Sequence, residues 1–143
     1  MSELTIREMG QDEEFTAWFG DLLEMEAERS GSGIVLDDRY LVLSNEIGDW
    51  IGGLRYHLRG GVAHLVDVAI APDHRHLGYA HRLLAAFEER AVESKAHLAE
   101  FWTDDHRSEG LLAALGWRRV MEREGYIGGR TWSLMEKSLA TPP

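Results

Sequence analysis

Apolar positions along the chain switch repeatedly between a period of two and a helical period, and this divides the sequence into elements. Leu4-Thr5-Ile6-Arg7-Glu8-Met9 alternates like a half-buried strand, and Gly10-Gln11-Asp12 ends it. From Asp12 to about Arg29, Phe15, Trp18, Phe19, Leu22 and Met25 recur at helical spacing, and Ser30-Gly31-Ser32-Gly33 breaks the pattern. Tyr40–Ser44 and Trp50–Leu58, the latter interrupted by Gly52-Gly53, read as a hairpin around the turn Asn45–Asp49. Val62–Ala71 has the Val, Leu, Ile and Ala content of a central strand and forms a second hairpin through Gly60-Gly61. If those two glycines are the whole loop, Arg59 faces Val62 and His57 faces His64.

Pro72-Asp73-His74 ends that strand. The segment through Lys95 carries Leu77, Ala80, Leu83, Leu84, Phe87 and Ala91 at helical spacing and is the main helix. His97–Thr103 reads as a strand, Ser108–Leu115 as a short helix stopped by Gly116, and Trp117–Glu122 as a strand. Tyr126–Arg130 is a glycine-rich loop before a last strand, Thr131–Leu139, and a tail ending in Pro142-Pro143. The order β-α-β-β-β-α-β-α-β-β predicts an α/β fold of the α+β type, a mixed sheet with helices on both faces.

Composition narrows the class. A chain of 143 residues suits one domain, 1–143, with a core of about 4–139. A hydrophobic fraction of 44% and five tryptophans argue against disorder. No run reaches the roughly 18 apolar residues of a membrane span, and Met1–Gly10 lacks the pattern of a signal peptide, so a cytoplasmic protein with no membrane partner is expected. The absence of cysteine removes disulfides, thiolate metal sites and a Cys nucleophile. A net charge of −10 opposes binding to nucleic acid; it would attract cationic amines, although such a charge more often reflects only solubility.

The chemically informative stretch is residues 66–84, where an apolar strand enters a helix through a turn holding Arg75, Gly78 and Ala80. A helix start offers unpaired N–H groups and partial positive charge, and small residues let phosphate oxygens approach them. Arg75 and Arg82 add side-chain charge. The string has neither the Lys-Ser/Thr ending of a P-loop nor the glycine spacing of a dinucleotide fingerprint.

Ile70-x-Pro72-x-x-Arg75-x-x-Gly78-x-Ala80-x-x-Leu83 resembles the acetyl-CoA signature of the GNAT N-acetyltransferase superfamily, and Leu115-Gly116-Trp117 resembles that family's later Gly-Phe turn. The resemblance runs from Leu4 to about Leu139. It implies acetyl-CoA as cosubstrate, with the pyrophosphate on the backbone N–H groups of His76, Leu77, Gly78, Tyr79 and Ala80, near Arg75 and His81. It also implies that Val68, Ala69 and Ile70 pair with the pantetheine arm like an added strand, Ile70 N–H polarising the thioester. His106 occupies the place of a frequent asparagine near the pantetheine.

Acyl transfer needs a base for the amine and a proton for the departing thiolate. His64 stands where relatives place a glutamate or histidine; His57, facing it, could relay a proton. Asp67 is the rival base, on the opposite face from His64 unless a bulge intervenes. Each also has a plain structural reading, as a polar-face histidine or a hydrogen-bonded carboxylate. The resemblance places a tyrosine acid where this chain has Leu112, leaving Tyr126, His106 or water as donors.

Other features read more plainly. His74, His76 and His81 lack a carboxylate at a familiar metal spacing, so no metal is expected. Asp104-Asp105-His106 reads as a turn or helix cap. Trp18, Trp50, Trp102, Trp117 and Trp132 suit core or pocket wall. Glu14, Asp21, Glu24 and Glu28 suit a solvated face that could also border a cationic acceptor. The expected activity is direct acetyl transfer to a primary amine of a small molecule. The alternatives are a protein or peptide amine, a non-catalytic acyl-CoA-binding regulatory module, and another phosphorylated ligand. A homodimer is expected only from family habit.

Overall fold

The computed structural model describes residues 4–31, 34 and 36–139, which fall into two compact units, residues 1–35 and 36–143. The first unit is built on helix α1, Glu13–Ser30. Asp12 caps it, its carboxylate accepting the Phe15 N–H at 3.0 Å, and Gly31 closes it at φ 73. Phe15 stacks on Phe19, centroids 5.7 Å apart, along the apolar stripe read from the sequence. Residues 4–10 form no strand. Their alternation is right for one, but a strand persists only in a ladder, and this segment enters none. Ser32, Gly33, Pro142 and Pro143 lie outside the described residues.

The second unit is a mixed sheet of β1 (Asp37–Ser44), β2 (Trp50–Arg59), β3 (Val62–Ile70), β4 (Leu98–Thr103), β5 (Arg118–Arg123) and β6 (Trp132–Ser138), in the order β1-β2-β3-β4-β6-β5. Helix α2 (Tyr79–Glu93) joins β3 to β4, which run parallel; the other neighbours are antiparallel. Helix α3 (His106–Ala114) starts two residues before the expected Ser108, because the Asp105 carboxylate accepts the Arg107 N–H at 3.0 Å.

Helices α2 and α3 share one face of this sheet. Alternate strand residues Leu54, Tyr56, Ala63, Leu65, Ala99 and Met135 meet Leu83, Leu84, Phe87 and Ala91 of α2 and Leu112 of α3. Phe87 is central: Tyr56 meets it edge-on at 5.2 Å and Trp117 stacks on it at 6.3 Å.

The other face carries charge. Register alone lines up one polar residue from every strand: Asp38 opposite His57, His57 opposite His64, His64 opposite Glu100, Glu100 opposite Glu136, and Glu136 opposite Arg118. The row crosses the whole sheet. A bulge modifies one part of this face, since Arg55 pairs with Asp67 while Tyr56 pairs with Leu65, leaving Val66 as the extra residue. The bulge turns Asp67 onto the same face as Arg55, His57 and His64.

Candidate functional site

Pairing of β3 with β4 runs from Val62–Leu98 to Leu65–Phe101 and stops, although β3 continues to Ile70. A gap therefore opens within the sheet beside residues 66–70. Ala71 N–H donates to Ile51 O at 2.7 Å, which makes Gly52 and Ile70 a non-hydrogen-bonded pair. Val68 and Ile70 consequently turn their N–H and C=O groups away from β2, towards the gap. The Ile70 carbonyl is occupied, accepting from Arg75 Nε at 3.1 Å.

The chain leaves β3 through a single 3₁₀ turn, Pro72–His74, and reaches α2 through two residues in the left-handed region, His76 at φ 64 and Gly78 at φ 80. A non-glycine residue in that region is strained, and such strain gathers at ligand-binding turns. Gly78 is the N-cap and offers no side chain; Arg82 N–H bonds back to Gly78 O at 3.2 Å, so the N–H groups of Tyr79, Ala80 and His81 belong to the open first turn. That turn has no acidic residue and carries His81, with Arg82 following. A Cβ at Gly78 would meet nothing within 4 Å, so the approach is open. These donors fit a pyrophosphate.

On the face opposite α2 and α3, the His57 and His64 rings lie parallel within 8°, centroids 6.4 Å apart, as the two-residue loop requires. His57 Nδ1 is 3.1 Å from Asp38 Oδ1, close enough for attraction but not aligned as a hydrogen bond. Arg55 grips Asp38 with Nε and Nη2 at 3.2 and 3.1 Å. That hydrogen bonding, with the nearby His57, holds the Asp38 carboxyl below the usual aspartate range and raises the Arg55 guanidinium. On the far side of the histidines, His64 Nδ1 is 3.8 Å from Glu100 Oε2, and Glu136 accepts from Arg118 at 3.0 and 2.6 Å. The fold thus brings His57, His64 and Asp67 onto one face. Asp38, Arg55 and Glu100 beside them were not singled out from sequence. A parallel β3–β4 register would have pointed to Glu100.

Leu112, at the position where the resemblance places a tyrosine, is buried in the core. His106 opens α3 with its side chain in solvent and Nδ1 3.2 Å from Glu109. Tyr126 packs against Trp102 at 5.4 Å, under the Arg123 guanidinium at 4.8 Å, at the end of β4 where the gap opens. A hollow of about 470 Å³, lined by Val42, Trp50, Gly53, Ala69 and Ile70 among others, adjoins the last residues of β3. Of the five tryptophans, Trp117 is fully in the core, while Trp50 walls this hollow. Among the described residues no His, Asp or Glu cluster is arranged to hold a metal ion, and no helix is long and apolar enough to cross a membrane.

The fold matches those of solved acetyltransferases. The chain belongs to the acetyltransferase (GNAT) family, whose model matches residues 5–117; this family generally uses acyl-CoA. Solved structures agree in fold. A proposed acetyltransferase of Agrobacterium tumefaciens is 20% identical, with a TM-score of 0.75 over 96% of this chain and 99% of that one. The ribosomal-protein-S18-alanine N-acetyltransferase of Escherichia coli is 16% identical, with a TM-score of 0.66 over 84% and 78% of the two chains. Nourseothricin acetyltransferase is 18% identical, with a TM-score of 0.65 over 73% and 66%. No curated protein matches by sequence.

Proposed function

We propose that the protein moves an acetyl group from acetyl-CoA directly to a primary amine of a small molecule. The observation that carries this reading is the pair of backbone N–H groups, Val68 and Ile70, turned into the gap beside a face that holds His64 and Asp67. The first turn of α2 and its neighbours His76 and Leu77, with Arg75 and His81 near, hold the pyrophosphate, while Val68, Ala69 and Ile70 align the pantetheine arm as an added strand. An N–H of β3 stabilises charge developing on the thioester oxygen; Val68 is the nearer of the two to His64. His64 removes the amine proton, with His57 beside it and Asp67 as the rival carboxylate base. Tyr126, at the end of β4, is better placed than His106 to meet the departing sulfur, and water serves the same role.

A panel of amines with acetyl-CoA, followed by release of free thiol, tests the reading. Stabilisation by acetyl-CoA without turnover of any amine would instead indicate a binding module, a possibility that Leu112 keeps in view. His64→Ala should lower kcat by about 10²–10⁴-fold; an unchanged pH–rate profile would remove His64 from the mechanism. The likeness to the ribosomal-protein enzyme supports a second reading, a protein amino group as acceptor, and peptides with free N-termini belong in the same panel.

A further inference from the structure

We propose that Glu100 is a positioning residue for His64, fixing its tautomer and steadying its charged form; the inference rests on His64 serving as the base. Glu100 reaches this place through the parallel β3–β4 pairing, which sets it opposite His64. Its Oε2 lies 3.8 Å from His64 Nδ1, beyond hydrogen-bond length but within ion-pair range, so its charge already acts on the ring before substrate arrives. The next acid along the row, Glu136, is already held by Arg118 through two hydrogen bonds to Oε1, so the nearest strong cation on that side is committed elsewhere. The groups facing His64 are His57 from β2, Glu100 from β4 and Asp67 from its own strand. Asp38 and Arg55 stand beyond His57, and Glu136 and Arg118 beyond Glu100.

The two imidazoles have matching surroundings. In each the Nδ1 atom lies within ion-pair range of a carboxylate, 3.1 Å from Asp38 for His57 and 3.8 Å from Glu100 for His64. A carboxylate at Nδ1 keeps the proton there and leaves Nε2 as the lone-pair nitrogen. His64 Nε2 takes one proton from the acceptor ammonium, and the freed lone pair forms the C–N bond. The C–S bond breaks with its electron pair on sulfur, and the second amine proton ends on that thiolate. Through these steps Glu100 balances the positive charge on the ring, until half-exposed His64 returns its proton to solvent.

Glu100→Gln keeps the shape and removes the charge. Expected are a fall in kcat of roughly ten-fold and an unchanged KM for acetyl-CoA, because the anion that balances the imidazolium during transfer is gone. Glu100→Asp should recover part of the rate. In ¹⁵N spectra of the ligand-free protein, His64 should be the Nδ1–H tautomer and should redistribute towards Nε2–H in Glu100→Gln. A variant with wild-type kcat and tautomer overturns the proposal, leaving acetyl transfer untouched. If the wild-type protein turns over no amine, the functional reading fails separately, and the tautomer spectra still decide whether Glu100 orients His64. Should Glu100→Gln not fold, the same spectra and kcat of Glu100→Asp decide.

Discussion

Gly52 sits where a single methyl group cannot go. An added Cβ would stand 2.7 Å from both Ala69 O and Ile70 Cδ1, and the first of these is backbone. Gly52→Ala must therefore push β3 at the edge of the gap. The expected result is a loss of about 1–3 kcal/mol in urea titrations, as for other overpacked sites, together with a raised KM for acetyl-CoA. Gly53→Ala is the control, because its nearest neighbour, Leu41 O, is 3.4 Å away. Asp38 makes a different prediction. Its folded carboxyl titrates lower than an unfolded aspartate, so its contribution is present above the ordinary carboxylate range and fades as pH falls through the lowered value. Asp38→Asn should then lose stability less steeply than wild type below about pH 4 in thermal melts. At this scale the sequence was partly legible. A two-residue Gly60-Gly61 loop is enough to place His57 opposite His64, whereas Asp38 lies before the strand read at Tyr40–Ser44 and beyond a register shift at Leu43/Ser44, and Glu100 arrives through parallel pairing that no local pattern encodes.

Among the elements, the strongly periodic ones were readable. The strands β2 and β3 and the end of α2 lie within a residue or two of the sequence pattern, whereas β1 begins three residues before Tyr40 and α2 begins only at Tyr79, after the turn that holds Leu77. The failures have separate causes. Leu4–Met9 alternates without a partner strand, and α3 starts early because Asp105, rather than a later residue, caps it. The bulge at Val66 could not be located by alternation, since an extra residue shifts the period that alternation relies on. At the start of α2, Gly78 combines φ 80 with an open approach. Gly78→Ala should cost about 1–2 kcal/mol through left-handed strain alone and weaken acetyl-CoA binding further; urea titration with and without ligand separates the two losses. Equal losses in both conditions would mean that the turn does not bind the cosubstrate.

For the molecule as a whole, binding to the folded state alone adds stability by mass action, about 2.7 kcal/mol at a hundred-fold excess over Kd. Acetyl-CoA should therefore raise Tm by several degrees in the wild-type chain, read by calorimetry, and much less in Gly78→Ala.

The parting of β3 and β4 has a wider consequence. Most sheets confine unsatisfied strand edges to their flanks, where twist and charge discourage other chains from adding on. Here an edge faces inward from the middle, at Val68 and Ile70, and under the proposed function its partner is the pantetheine arm. The cosubstrate would then act as a removable strand, and its supply would determine how much of the protein in a cell shows an unfinished sheet to its neighbours. In the same melts, scanned by light scattering, the unloaded protein should clump first; equal clumping with and without acetyl-CoA would mean that the inner edge is already protected.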